Sequence, residues 1–179
     1  MAQDITPDTA ATHPTPPSST RFELTTFFEG RTVAWGIFED RFGRMRRRFQ
    51  VEMQGCWHGD VFHLEEKFVY DTGDTELRTW IVTPAGDGRF TASCADCVGG
   101  AVGVCDRQSI KMRYRFRLAL SGRNIIVEFD DRIYCIDQDR AVNRAVMRKW
   151  GIKLGELSLF FQRESVATHA SPERPVAKG

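Results

Sequence analysis

The sequence predicts an all-β domain: a single antiparallel sheet of roughly eight to ten strands, closed into an up-and-down barrel. Three observations lead there. Between Phe22 and Glu164 the dominant spacing of apolar residues is two, the period of a strand with one buried face. Turn-forming stretches recur at short intervals, and QGCWHGD, YDTGDTE, PAGDGR and LSGRN carry the Gly, Asp and Asn that tight hairpins need. Many hairpins in one small domain leave unpaired edges, and closing the sheet removes them. An open sandwich is the alternative arrangement.

The elements follow in chain order. Residues 1–21 are rich in Pro, Thr, Ala and Ser and lack the basic start and apolar stretch of a secretory signal, so they are expected to be a disordered tail. Residues 165–179 have the same character, which leaves 22–164 as the barrel domain. Phe27 to Asp40 reads as a glycine turn and the first strand, with Trp35 on the Val33 and Ile37 face, plugging one end of the barrel. Arg41 to Arg48 is the first hairpin turn and the start of the next strand, where Arg44, Arg46 and Arg48 point outward and Phe49, Val51 and Met53 inward. VFHLEEKFVY and ELRTWIV are further strands, and the glycines of DCVGGAVG mark a bulge or sharp bend.

The clearest alternation is IKMRYRFRLAL. Ile110, Met112, Tyr114, Phe116, Leu118 and Leu120 share one face, with Lys111, Arg113, Arg115 and Arg117 on the other. NIIVEFDDRIYCID is a strand of the same kind. RAVNRAVMRKWG leans helical, with Gly151 placed as a C-cap, and predicts a short helical turn near the C-terminal end. A strand followed by a single turn fits it equally.

Composition excludes several functions. Charged residues make up 27% of the chain, yet the net charge is +1, so no global field draws in nucleic acid, and no basic-aromatic binding module is present. No run of apolar residues is long enough for a transmembrane helix. Five cysteines without a signal peptide point to reduced thiols and a cytoplasmic protein, peripheral at most to the inner membrane. Cys94, Cys97 and Cys105 lack a fourth ligand nearby, so no zinc site is expected. His13, His58, His63 and His169 all avoid apolar faces, which argues against haem, and no cofactor is expected. The nucleophile-elbow, P-loop and dinucleotide-binding motifs are absent.

Strand parity supplies the candidate site. Glu66 shares a face with Phe62, Leu64, Phe68 and Tyr70; Asp131 with Ile125, Val127, Phe129 and Ile133; Asp96 with Phe90, Ala92 and Val98. Ionised carboxylates on apolar faces are costly unless paired or protonated. Arg78, on the Trp80 and Val82 face, and Arg144, with Val142 and Val146, are the expected partners. Glu66, Arg78, Trp80, Asp96, Asp131 and Arg144 are therefore the candidate ligand-binding residues. A structural salt-bridge network, or strand ends that turn these groups to water, would produce the same pattern. Arg44, Arg46 and Arg48 are candidates for contact with anionic lipid head groups; the plain alternative is a solvated sheet face.

Gly30 and Trp35 resemble the Gly-x-Trp entry of the calycin superfamily, which includes lipocalins and fatty-acid-binding proteins. FFEGRTVAWGIFEDRFG, LEEKFVYDTGDTELRTWIV, VEFDDRIYCID and NRAVMRKWGIKLGELSLFFQR together resemble an uncharacterised bacterial family of unknown function. Some of its members are described as lipoproteins and are encoded beside cyclopropane-fatty-acid synthase-like methyltransferases. This chain departs from them in lacking a lipobox and an apolar leader, and in having Cys97 where a second acidic residue is expected. The resemblance implies a calycin-like barrel that binds a hydrophobic, fatty-acyl ligand without catalysis and serves membrane lipid modification beside a lipid-modifying enzyme. It carries no catalytic residue over. The rival expectations are an enzyme using a buried carboxylate as general acid or base, and a barrel that only binds protein.

Overall fold

A computed structural model of the chain describes residues 21–120 and 122–164. The two expected tails lie outside the described residues, apart from Arg21. A short helix, α1 (Leu24–Phe28), precedes ten strands: β1 (Gly30–Asp40), β2 (Met45–His58), β3 (Val61–Tyr70), β4 (Thr75–Pro84), β5 (Arg89–Ser93), β6 (Cys97–Cys105), β7 (Ser109–Leu120), β8 (Arg123–Cys135), β9 (Arg140–Lys149) and β10 (Ile152–Arg163). Each strand pairs antiparallel with its neighbours in sequence. β1 closes on β10 from Thr32↔Arg163 to Asp40↔Gly155, so the sheet is an all-β, up-and-down closed barrel.

Alternation explains the core. Phe49, Val51 and Met53 of β2, Phe62, Leu64 and Phe68 of β3, and Val127 and Phe129 of β8 all turn inward and are buried. Gly99 and Gly100, at φ +79° and +78°, form the bulge expected in DCVGGAVG, where pairing with β7 jumps from Val98 to Ala101. All five cysteines are unpaired thiols.

The two ends of the barrel differ. One is plugged by α1, which buries Leu24, Phe27 and Phe28. Phe28 and Phe27 set their edges against Phe161, with centroids 5.2 and 6.5 Å apart. The Phe22 amide donates to the Asp106 carbonyl at 2.9 Å and ties the plug to the β6–β7 turn. Inward side chains near this end, such as Phe62, Val82, Ile110 and Ala141, have almost no exposure. The opposite end gathers the β1–β2, β3–β4, β5–β6, β7–β8 and β9–β10 turns. There the inward residues Phe38, Tyr70, Leu118, Ile125 and Leu157 are only half-buried.

Two expectations are corrected here. Trp35 is not a plug. Thr32, Ala34 and Gly36 take the inward positions of β1, and Trp35 lies outside, 49% exposed and stacked on Phe160. The Phe49 ring occupies the space a side chain at position 36 would need. The helical turn near the C-terminal end is absent as well. That passage is β9, with Ala141, Asn143, Ala145 and Met147 inward, and the chain reverses at Trp150 and Gly151. Both turn residues have positive φ, 51° and 78°, as a two-residue hairpin requires.

Candidate functional site

Inside this apolar barrel, β3 and β4 place Glu66 directly opposite Arg78. Arg78 lies 3.8 Å from Glu66 through Nη1 and donates from Nη2 to Glu76 Oε1 at 2.6 Å. Its guanidinium is sandwiched between the Phe68 and Phe116 rings, 4.8 and 4.6 Å from their centroids. Toward the open end the Tyr70 hydroxyl donates to Glu76 Oε2 at 2.9 Å, and the Arg47 guanidinium sits 5.1 Å above the Tyr70 ring. A polar ladder thus runs inward from Arg47 through Tyr70, Glu76 and Arg78 to Glu66.

β7 and β8 supply a second group. The Tyr114 hydroxyl donates to Asp131 Oδ2 at 3.2 Å. The Tyr114 ring stacks on Phe129 and meets Trp80 edge-on, each at 5.2 Å. Trp80 and Phe116 therefore bridge the two groups with aromatic surface.

Burial dominates the electrostatics. It pushes the Glu66 carboxyl up to about 7, against the pull of the Arg78 charge and the Trp80 indole N–H, while Glu76 pushes the same way as burial. Burial likewise lifts Asp131 to about 7; the Tyr114 hydrogen bond and Arg78 oppose it, and the Glu66 charge adds to it. For Arg78 burial works against the charge, but Glu66 and Glu76 outweigh it and hold the guanidinium protonated. Six buried polar atoms have no hydrogen-bond partner among the described residues: Glu66 Oε2, Arg78 Nε, Asp131 Oδ1, Asn143 Oδ1 and Thr32 Oγ1 on the inward face, and Arg148 Nη1 on the outer one. Orphaned groups of this kind in an interior call for an explanation.

Four of the six residues proposed from the sequence, Glu66, Arg78, Trp80 and Asp131, meet in the lumen. Asp96 does not. The strand ends at Ser93, residues 95–96 form a turn, and the parity that tied Asp96 to Phe90 and Ala92 is lost. Arg144 lies outside the barrel. It does share a face with Val142 and Val146, but that face is the outer one, where Arg144 pairs with Glu156 beside Lys153. Glu76, Tyr70 and Arg47 of the ladder, and Tyr114 of the second group, were not singled out from the sequence. Parity with Arg78 marks Glu76, and parity with Phe49 marks Arg47. The burst of neighbouring arginines concealed the second signal.

The outer face behaves differently. Arg46 pairs with Asp40 at 2.6 Å, Arg48 with Asp71 at 3.6 Å, and Arg113 with Asp130 at 3.2 Å. Trp35, Ile37, Val69, Val142 and Phe160 line an apolar groove of about 620 Å³ across β9, β10, β1, β2 and β3.

Residues 9–163 match the family described as "Protein of unknown function (DUF3833)". The chain belongs to this family. No curated protein matches the sequence. Among solved structures, the DUF3833 chain is similar to an S-type phycobiliprotein lyase, CPES, from Guillardia theta. The two share 5% identity over 79% of this chain and 91% of the lyase, with a TM-score of 0.60, a likeness of fold. The protein EF1p2_mFAP2b bound to DFHBI aligns at 8% identity, covering 79% of this chain and all of that one, with a TM-score of 0.44.

Proposed function

We propose that this DUF3833 barrel binds a hydrophobic small molecule of the fatty-acyl type in its lumen, with the molecule's polar end at Glu66, Arg78 and Asp131. The observation that carries this reading is a set of partnerless polar atoms in an otherwise apolar interior whose inward residues are half-buried at one end. Glu66 Oε2 and Asp131 Oδ1 make no hydrogen bond within the network and are open to a ligand's polar group. Solvent extraction of the purified protein followed by mass spectrometry tests the reading. Co-purified acyl chains are expected, and repeated extracts free of lipid would count decisively against it.

A second reading is supported by one feature: a carboxyl held near 7 suits a general acid or base. Glu66 would then catalyse a reaction on a lipid substrate. If Glu66→Gln leaves the cell's lipid products unchanged, that reading fails.

We further propose that the open rim rests on an anionic membrane, the setting for a role in lipid modification beside a lipid-modifying enzyme. Phe42 and Trp150, at the tips of two adjacent rim turns, are 70% and 86% exposed. Arg41 lies over the Phe42 ring and Lys149 over the Trp150 ring, at 4.7 and 4.8 Å. Trp150 keeps a positive φ, a conformation that is costly for a bulky residue and persists where structure or function demands it. Arg41, Arg44, Lys149 and Arg123 make no ion pair among the described residues and sit on or beside three successive rim turns, β1–β2, β9–β10 and β7–β8. Each such cation contributes about 1 kcal/mol near an anionic surface. Co-sedimentation with phosphatidylcholine vesicles, with and without phosphatidylglycerol, is the test. Binding that needs phosphatidylglycerol and is lost in Phe42→Ser/Trp150→Ser supports docking, and binding indifferent to both refutes it.

A further inference from the structure

Resting on the lumen reading, we infer that the bound molecule's polar end is a hydrogen-bond donor, a hydroxyl or an amine, and not a carboxylate. The inventory of the lumen decides this. Glu66, Glu76 and Asp131 bring three carboxyl groups, and among the described residues the inward cation in contact with them is Arg78. That cation is partly engaged: Nη2 donates to Glu76, Nη1 stands 3.8 Å from Glu66 Oε2, an ion-pair distance, and Nε has no hydrogen-bond partner. The other partnerless inward atoms are the acceptors Glu66 Oε2, Asp131 Oδ1 and the amide oxygen Asn143 Oδ1, with the Thr32 hydroxyl, which can donate or accept.

A carboxylate entering here would lose its hydration and meet negative or acceptor oxygens, with one partly blocked cation to receive it. An alcohol or ammonium head reverses the balance. Its donors satisfy oxygens that otherwise cost free energy by being buried and unpaired. Arg47 does not rescue the carboxylate. It sits above Tyr70 toward the mouth, exposed to water, on the solvent side of Glu76.

The groups facing these acceptors are Arg78, Glu76 and Trp80 from β4 and Tyr114 from β7. As pH rises through 7, Glu66 and Asp131 lose their protons and become stronger acceptors. An ammonium head should therefore bind more tightly at about pH 8 than at about pH 6, and a carboxylate head more weakly.

The experiment titrates the full chain by calorimetry with dodecanol, dodecylamine and dodecanoate, each below its micelle-forming concentration. The chain length is constant, so differences report the head alone. Dodecylamine and dodecanol are expected to bind roughly tenfold or more tightly than dodecanoate. In Glu66→Gln and Asp131→Asn the amine should lose most of its advantage while dodecanol changes less. Circular dichroism checks that each variant folds, and either variant alone suffices. If all three probes bind equally, the inference about the head falls while the hydrophobic-ligand reading stands. That result is also what occupation of the outer groove at Trp35 and Phe160 would give. If dodecanoate binds most tightly, the inference is overturned outright. If no probe binds, both readings fall.

Discussion

Replacing Glu66 by Gln removes one titrating group and little else, because the amide is close to the carboxyl in size and shape. Burial carries this carboxyl from 4.5 to about 7 in the folded protein. Between those values the folded state holds a proton that the unfolded state has released. Stability therefore falls as pH climbs from 4.5 to 7 and levels off above it. The displacement corresponds to about 3 kcal/mol. The variant has no proton to lose at this position, so its stability should fall less over the same window. Asp131 still titrates in the variant, and more gently, because the Glu66 charge contributes to its rise. Urea unfolding at about pH 5 and about pH 8 measures the difference. The variant should gain on the parent by about 3 kcal/mol between the two conditions, an upper bound because the two carboxyls are coupled. Parallel stability curves would refute the claim that Glu66 is buried and protonated near neutrality.

Other perturbations separate the parts of the fold. Arg78→Met leaves Glu76 and Glu66 without their cation and should cost about 3–5 kcal/mol at about pH 8, with a smaller loss at about pH 5, where Glu66 is neutral, measured by the same unfolding assay. A Cβ on residue 55 would stand 2.0 Å from the Phe28 carbonyl oxygen. Gly55→Ala should therefore lift the α1 plug, cost about 1–3 kcal/mol and speed proteolysis near Phe22–Phe28. Phe28→Ala should cost about 3–5 kcal/mol in thermal or urea unfolding, as expected of a buried aromatic. Trp35→Ser, on the outer face, should change stability by less than about 1 kcal/mol; a core-sized loss would restore Trp35 as a plug.

Much of the fold could be read from the sequence, because a barrel writes a period of two into nearly every strand. IKMRYRFRLAL and VFHLEEKFVY give the inward faces of β7 and β3 directly. Closure followed from the many hairpins and the need to hide edges. The failures have physical causes. Trp35 and Arg144 share faces with Val33, Ile37, Val142 and Val146, and apolar residues also line the outer face here, so parity did not reveal which side was the core. Asp96 failed because a turn broke the strand. RAVNRAVMRKWG offered small residues on its inward face in place of the large ones that make a strand conspicuous. α1 escaped notice because five residues are too few to show a helical period. In the site, Glu66, Arg78, Trp80 and Asp131 could be found because each interrupts or borders an apolar face. Tyr70 and Tyr114 were hidden among the aromatics with which they pack, and their role depends on a hydroxyl whose partner no local pattern predicts.

The most direct test is where a bound chain lies. Nuclear Overhauser contacts from isotope-labelled dodecanol to the protein would locate it. A chain seated in the barrel should give contacts from the head methylene to Tyr114 and Trp80, and from the alkyl chain to Leu118 and Ile125. Contacts confined to Trp35 and Phe160, in the outer groove, would contradict it.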